Sequence, residues 1–304
     1  MEKKQTAGHL AAVLTIFIWG TTYISTKVML LKFEPVEILF FRFLMGFAAL
    51  WMVAPKRLKN TGRKQELTFA AAGLCGICLY YLLENIALTY TMASNVGVII
   101  SIAPFFTAIF SHFFFKGEEK LPFQFFLGFI VAMGGICLIS FNGAQLSLNP
   151  MGDLLAVAAA VVWALYSVLT RKISSYGHPT ILTTRRVFAY GLMFMIPALF
   201  LFDFRLDLGR FSDPLYLINI LFLGLGASAL CFVTWNFAVR ALGAVRTSVY
   251  IYLVPVITVV TSVLILGETI TPMAVAGTLL ILAGLFLSEG KWEPRRERKR
   301  ITAR

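Results

Sequence analysis

Two ionisable side chains and two amides lie inside stretches of the sequence that are otherwise apolar: Glu84, Arg42, Asn85 and Asn236. Within an apolar stretch long enough to cross a bilayer, a charged side chain is costly and is therefore a candidate for a functional role. Because burial favours the protonated form of a carboxyl group, Glu84 is a candidate proton carrier. The alternative is a structural carboxylate that reaches the membrane interface or hydrogen-bonds Asn85.

Arg42 is flanked by three phenylalanines, Phe40, Phe41 and Phe43. Its long side chain can extend toward the membrane surface, or it can pair with Glu84 or with a backbone carbonyl. A planar guanidinium also binds carboxylate and phosphate groups through two hydrogen bonds. The sequence leaves a structural role and a substrate-binding role open, and it favours the structural one.

Two tryptophans, Trp19 and Trp163, each lie within an apolar stretch, with Tyr23 and Tyr166 about one helical turn further on. Aromatic side chains in such positions usually pack against neighbouring helices. A cavity lined by Trp and Tyr, however, suits a partly apolar or cationic metabolite. Polar side chains that could orient such a ligand are Thr22, Ser167, Asn95 and Asn236.

Small and polar residues recur at helical spacing around two prolines, Pro104 and Pro255. Each proline is expected to interrupt its helix and to free a backbone carbonyl. Such a face either allows close helix packing or leaves room for a substrate. We place three of these residues in a cavity: Ser101, Ser248 and Tyr252. Both interpretations stay open for the rest: Gly97, Ala108, Ser111 and Ser262.

Motifs for catalysis are absent from the sequence, which has no HExxH, no nucleophile elbow, no phosphate-binding loop and no acidic cluster suited to Mg²⁺. The histidines are scattered, and Cys75 and Cys78 form a CxxC inside an apolar stretch without a second pair of ligands. We therefore predict no catalytic residue, no metal site and no cofactor. A membrane-embedded transferase and a channel are less favoured alternatives, because the polar residues follow a repeat instead of gathering on one side or forming a ring.

The elements that carry these residues are apolar runs of about 20 residues, the length that a helix needs to cross a bilayer. The chain has 304 residues, of which 59% are hydrophobic and 14% charged, and a soluble domain cannot bury so much apolar surface. No run shows the two-residue alternation of a strand. We therefore predict an all-α integral membrane protein with ten transmembrane helices, roughly at 10–31, 35–53, 67–90, 95–115, 122–141, 154–169, 181–202, 215–239, 245–266 and 272–287.

The second half of the sequence repeats the first, which indicates a duplicated unit. Since each half holds five runs, an odd number, the second half must be inverted in the membrane relative to the first. Inverted repeats are typical of transporters that work by alternating access. Glu84 has no acidic counterpart, because its matching position holds Trp235. Other matching positions hold the pairs Trp19 and Trp163, Arg42 and Arg186, Asn85 and Asn236, and Pro104 and Pro255.

The net charge of +12 is distributed unevenly between the connecting segments. Segments on the side of the two termini hold most of the Lys and Arg residues, whereas the other side holds only Lys27, Lys32, Arg205 and Arg210. Because positively charged loops stay on the cytoplasmic side, both termini are predicted to be cytoplasmic. The charge therefore gives no reason to expect a nucleic acid partner. The basic tail, residues 290–304, fixes this topology or, alternatively, binds anionic lipids.

Two series of motifs, one in each half, carry a resemblance to a known family. The first half has WGTTY, Arg42-Phe43, a central proline, Gly117-Glu118 and Gly134-Gly135, and the second half has WALYS, Arg185-Arg186, a central proline, LGE and Gly284. This order resembles the EamA family of the drug/metabolite transporter superfamily over nearly the whole chain. The resemblance implies a ten-helix inner-membrane carrier with two inverted repeats, usually an exporter of amino acids or other small metabolites. Lys116, where the family usually has leucine, departs from the pattern.

These observations divide the chain into a cytoplasmic N-terminus (1–9), a first EamA repeat (10–141), a second EamA repeat (152–289) and the basic cytoplasmic tail. We predict a multi-pass protein of the inner or plasma membrane that exports an amino acid or a related metabolite, including drug-like cations, by alternating access. The alternative is exchange of a nucleotide sugar or another phosphorylated metabolite, bound by Arg42 or Arg186. The predicted partners are a small-molecule substrate and the lipid bilayer. The glycines of the fifth span indicate close packing within the chain or in a homodimer: Gly128, Gly134 and Gly135.

Overall fold

The computed structural model describes residues 2–115, 123–140, 150–202 and 204–289. In this part of the chain the regular elements are helices, without a strand. The basic tail and the Gly117-Glu118 motif lie outside the described residues. We number the main helices α1 Glu2–Met29, α2 Pro35–Val53, α3 Arg63–Tyr90, α4 Ala93–Phe114, α5 Phe123–Ser140, α6 Pro150–Ser174, α7 Thr180–Leu201, α8 Pro214–Leu242, α9 Ala244–Leu266 and α10 Pro272–Glu289.

Eight of the described helices are long and apolar enough to cross a membrane. The other two, α5 and α10, are apolar helices of 18 residues each. The predicted all-helical membrane class is therefore confirmed, whereas the count of ten spans stays a prediction.

Helices α3 and α8 each contain a wide, π-helical segment near the middle, Leu74–Leu79 in α3 and Phe222–Leu230 in α8. The two segments overlap when the halves are aligned. Segments of this kind are rare and often lie at functional sites.

Helices α4 and α9 are interrupted near their middles. In α4, Ala93–Ile100 is followed after a short break by Ala103–Phe114, and Pro104 lies in the first turn of the second segment. In α9, a 3₁₀ turn precedes Val254–Leu266, and Pro255 lies in the first turn there. Proline is suited to this position, because the first turn of a helix does not need its missing N–H.

The contacts between helices repeat from one half to the other. Helix α1 packs against α8 and α9, and its counterpart α6 packs against α3 and α4. Likewise, α2 packs against α8, and α7 packs against α3. Three further pairs join each helix to its own counterpart: α2 with α7, α4 with α9, and α5 with α10. This pattern is that of two inverted copies related by a pseudo-two-fold axis.

Glycines bring α5 and α10 into close contact. A Cβ atom on Gly284 would lie 2.4 Å from the carbonyl oxygen of Gly128, and one on Gly135 would lie 2.5 Å from that of Gly277. Backbones can approach this closely only where side chains are absent. Gly128 and Gly135 thus face α10 within the chain, and of the three glycines considered for a dimer contact Gly134 alone faces open space.

Candidate functional site

A small cavity lies in the interior of the bundle, where helices of both halves meet. Helices α1 and α3 supply most of its wall, and α4, α6 and α9 supply the rest. The space open to the centre of a water molecule is about 20 Å³, enough for one or two waters. In this conformation the cavity is therefore too small for a metabolite. Five residues predicted from the sequence line it: Trp19, Thr22, Tyr23, Glu84 and Trp163.

Aromatic rings from both halves form one wall of the cavity. The rings of Trp19 and Trp163, which hold matching positions in the repeat, meet edge to face with their centroids 5.1 Å apart. The indole N–H of Trp19 donates to the carbonyl oxygen of Ala227 at 2.9 Å, which fixes the ring. The ring of Tyr80 lies 4.8 Å from that of Trp163. The wall is thus apolar, rigid and shared between the two repeats.

Glu84 is the acidic group of the cavity, and only 1% of it is exposed. It shares the cavity wall with Tyr80 and Tyr81. One of its carboxyl oxygens, Oε1, has no hydrogen-bond partner among the described residues. The amide of Asn85 donates instead to the carbonyl oxygen of Pro35 at 3.0 Å. Glu84 is thus an interior group that neither Asn85 nor the surface of the bundle satisfies.

Arg42 lies beside this cavity and is equally buried, at 1% exposure. Its Nε donates to the hydroxyl of Ser228 at 2.7 Å, and its Nη2 donates to the hydroxyl of Tyr81 at 3.3 Å. The guanidinium also lies 4.2 Å from the centre of the Tyr81 ring. Its Nη1 has no hydrogen-bond partner within the described part of the chain. Arg42 and Glu84 form no direct ion pair, so neither satisfies the open atom of the other.

Arg186, the counterpart of Arg42 in the second half, has a different environment. Its side chain is 43% exposed and forms two hydrogen bonds with Glu66, at 2.9 and 3.0 Å. Tyr190 donates a third hydrogen bond to the same carboxylate at 2.6 Å. The neighbouring Arg185 donates to the carbonyl oxygens of Ala54 and Lys56. Arg185 thus attaches the segment between α2 and α3 to α7, and Arg186 attaches the start of α3 to α7 and has an acidic partner already.

Polar residues of the second half form a chain of hydrogen bonds away from the cavity. The hydroxyl of Tyr166 donates to Asn236 at 2.9 Å, and the amide of Asn236 donates to Thr184 at 2.9 Å. The hydroxyl of Ser167 donates to the carbonyl oxygen of Trp163. In the first half, the amide of Asn95 donates to the hydroxyl of Thr91. The structure gives these residues partners within the protein and does not place them on the cavity wall.

The small-residue faces around the two prolines also lie off the cavity. The hydroxyls of Ser101 and Ser248 donate to the carbonyl oxygens of Val98 and Val245 in their own helices, at 2.5 and 2.7 Å. Tyr252 is half-buried outside the lining. A Cβ atom on Gly97 would lie 2.7 Å from Thr258, so this part of the face packs α4 against α9.

Sequence reasoning missed two tyrosines of the cavity, Tyr80 and Tyr81. A signal for them was present, because they precede Glu84 by four and three residues and must share its helix face. The remaining lining residues are aliphatic, and their sequence pattern does not distinguish a cavity wall from packing: Ile16, Ile100, Ile251 and Val254.

The two halves are joined by hydrogen-bonded contacts at both ends of the bundle. We call the end at which α1 begins the terminal face, and the opposite end the distal face. At the terminal face, His9 Nδ1 of α1 lies 2.6 Å from the hydroxyl of Tyr250 in α9. At the distal face, the carboxylate of Glu268 accepts hydrogen bonds from the backbone of Ala93 and Ser94, at 2.9 and 3.2 Å. Close by, Lys27 donates to the carbonyl oxygens of Leu88, in the last turn of α3, and of Thr91, just after that helix.

The described residues hold no group of His, Cys, Asp and Glu side chains that could bind a metal ion.

The model of the EamA-like transporter family matches residues 6–141 and 150–289, one match for each half. The chain belongs to this family. It is accordingly a multi-pass membrane protein of the two-repeat EamA fold, and the resemblance in the motifs is confirmed.

Relatives of this EamA-like protein align along nearly their whole length. An uncharacterized transporter of Archaeoglobus fulgidus is 28% identical, with 93% of this chain and 97% of that protein covered. A probable terminal-alkyne amino-acid exporter of Streptantibioticus cattleyicolor is 26% identical, with 91% of each covered. A crystal structure at 20% identity matches with a TM-score of 0.65 over 93% of this chain and 96% of its own, which supports the fold alone.

Proposed function

We propose that this protein is a secondary transporter that exports an amino acid or a related small metabolite across the cell membrane by alternating access. One observation carries the proposal: the interior cavity is built from helices of both repeats and contains a buried acid beside a buried arginine. A cavity shared between inverted repeats can open to either face when one set of helices moves against the other. The name of the relative from Streptantibioticus cattleyicolor supports an amino acid as substrate.

The closed state of the cavity fits this mechanism. The contact of His9 with Tyr250 and that of Glu268 with Ala93 each join the first half to the second, one at each face. If the contact at one face of the bundle breaks while the contact at the other face is kept, the cavity opens to the first face only. The distribution of Lys and Arg supports a cytoplasmic terminal face and an extracellular distal face. On this orientation, the distal contact breaks when an exported substrate leaves.

Transport into proteoliposomes tests the proposal. Purified protein is reconstituted, and a panel of labelled amino acids is offered with and without an imposed pH gradient, beside protein-free liposomes. We expect flux of at least one amino acid that follows the gradient and that Glu84→Gln abolishes. Flux that survives Glu84→Gln would keep the transporter and remove Glu84 from energy coupling. If folded protein moves no amino acid, the proposed substrate is wrong.

A phosphorylated metabolite is the second candidate, and the arginines decide how well it is supported. Arg186 is already bound by Glu66 through two hydrogen bonds. Arg42 has a free Nη1, but it lies beside the carboxyl group of Glu84, which would repel a phosphate. The same panel should therefore include phosphorylated sugars, for which we expect no flux.

A further inference from the structure

Two buried ionic groups in the first half of the chain each have one polar atom without a partner. These atoms are Nη1 of Arg42 and Oε1 of Glu84, and both residues are 1% exposed. A buried polar atom without a hydrogen bond is costly, and the cost is larger for a charged group. Such atoms are rare in folded proteins and need an explanation. A ligand that supplies both missing hydrogen bonds would provide one.

The two groups border on the same tyrosine. Tyr81 lines the cavity together with Glu84, and its ring and hydroxyl contact the guanidinium of Arg42 from the other side. A shift of Tyr81 would therefore bring Arg42 to the wall on which Glu84 already lies. Had the two residues formed a direct ion pair, each would satisfy the other and no ligand would be required. They do not form one, so the basic and the acidic group remain available at separate positions.

We propose that Arg42 and Glu84 together recognise a zwitterion, an α-amino acid whose carboxylate and ammonium groups are both free. This inference rests on the proposed transport function and names the chemistry of its substrate. The carboxylate would accept from Nη1 of Arg42, and the ammonium would donate to Oε1 of Glu84. The apolar side chain would lie against the wall of Trp19 and Trp163.

Ligands with a single charge fit this arrangement less well. An organic cation would pair with Glu84 but would be repelled by Arg42, and an organic anion would meet the reverse situation. A zwitterion adds no net charge to the interior and compensates both groups. Opposite charges placed at two positions also exclude ligands that carry the wrong sign at either one.

Among the residues that the structure describes, this arrangement occurs once. In the second half, Trp235 replaces the acid, and Arg186 is bound by Glu66 near the surface. We therefore expect one zwitterion per chain, and Arg186 serves as the matched control for Arg42.

The test measures competition in proteoliposomes that contain the full-length protein. Each of the standard amino acids is offered as a labelled probe, and each transported one is competed with its methyl ester, which lacks the carboxylate, and its N-acetyl derivative, which lacks the ammonium. We expect both derivatives to compete at least about tenfold less well than the amino acid itself, since each leaves one buried charge unpaired.

The variants should give a crossed pattern that a merely structural role would not produce. In Arg42→Gln the methyl ester should compete as well as the amino acid, while the N-acetyl derivative stays weak. In Glu84→Gln, where flux is lost, the three ligands are compared instead by how far each raises the thermal unfolding temperature of the purified variant. There the N-acetyl derivative should stabilise the protein as well as the amino acid does, while the methyl ester stays weak. Arg186→Gln should leave both preferences unchanged. Should Arg42→Gln not fold, Arg42→Lys keeps the charge and should keep the preference against the ester.

Equal competition by either derivative in the wild-type protein would overturn the zwitterion assignment and leave the transporter intact. So would variants that keep both preferences. A folded protein that transports neither the amino acids nor the derivatives would instead refute the proposed function, and this inference with it.

Discussion

Arg42 and Arg186 occupy the same position in the two repeats, yet one is buried in the interior and the other forms an ion pair near the surface. Arg42 is buried between α2, α3 and α8 with one nitrogen unpartnered. Arg186 is 43% exposed and fastens α7 to the start of α3 through Glu66. The duplication thus kept the side chain and its place on the helix, while its surroundings diverged. Inverted copies can share one fold and still place the buried arginine and acid next to the cavity in one half only.

A second matched pair shows the same divergence in packing. The ring of Tyr166 lies against Gly76 so closely that a Cβ atom there would be 2.2 Å from it. At the matching positions of the other half stand the smaller Thr22 and the larger Ala227. At these two matching positions one half therefore has a large and a minimal side chain, and the other half has two small ones.

Removing Arg42 should have the largest effect. Arg42→Met removes the donor to the hydroxyls of Ser228 and Tyr81 and leaves the charge of Glu84 with no cation nearby. We expect it to lower the free energy of unfolding by about 3–5 kcal/mol. Unfolding in detergent micelles measures this change. The double variant Arg42→Met/Glu84→Gln should recover the part of the loss that comes from the charge of Glu84, because both charges are then gone. A loss below about 1 kcal/mol in the single variant would show that Arg42 is no more essential to stability than an exposed arginine.

Exchanging the packing pair should have the next largest effect. Gly76→Ala forces a methyl group into the Tyr166 ring, and we expect a loss of about 1–3 kcal/mol in unfolding free energy. In the Tyr166→Thr background, which reproduces the pair of the other half, Gly76→Ala should cost almost nothing more. The matched change Ala227→Gly should cost about 1 kcal/mol or less, from helix propensity alone. Equal costs of Gly76→Ala in both backgrounds would contradict the predicted coupling.

The distal contact should give a smaller effect that is local. Glu268→Ala removes the acceptor of the first two N–H groups of α4, and loss of such a cap costs about 1 kcal/mol. Hydrogen exchange followed by mass spectrometry should show faster exchange at Ala93 and Ser94. Arg186→Gln, at the terminal face, should leave exchange there unchanged, and unchanged exchange in Glu268→Ala would exclude the cap.

Removing Arg186 should have the smallest effect. Its pair with Glu66 is partly exposed, so Arg186→Gln should cost less than about 1 kcal/mol. High salt should reduce even this difference, because screening weakens exposed ion pairs. Thermal unfolding at low and high ionic strength measures both. If Arg186→Gln lowered the free energy of unfolding as much as Arg42→Met does, the two arginines would contribute equally to stability and the comparison between the halves would fail.

The fold could be predicted well from the sequence, because each apolar run and each pair of matched residues adds independent support for the same architecture. Apolar runs of bilayer length indicate helices, and matched residues such as Trp19 and Trp163 indicate a duplication. The matched tryptophans also indicate where the halves meet, since residues related by a pseudo-two-fold axis approach each other only near that axis.

The site was predicted less completely, because periodicity shows which residues share a helix face and not what that face contacts. Ser101 and Ser248 share faces with prolines, but their hydroxyls donate to their own backbones, an arrangement open to any helical serine. The side chain of Arg42 is held by the hydroxyl of Ser228, which lies far away in the sequence on α8. A contact of this kind has no local signature.

The wide segment of α3, Leu74–Leu79, immediately precedes Tyr80, Tyr81 and Glu84. A π-helical turn holds one residue more than an α-helical turn, and each residue of an α-helix advances the chain by about 100° around the axis. Tightening this turn would therefore swivel the whole following half of α3, carrying the acid and both tyrosines away from the centre together. Helix α8 has the same feature at a matching place. A change of one residue in either turn would therefore rotate the side chains that follow it without requiring the helix axis to tilt.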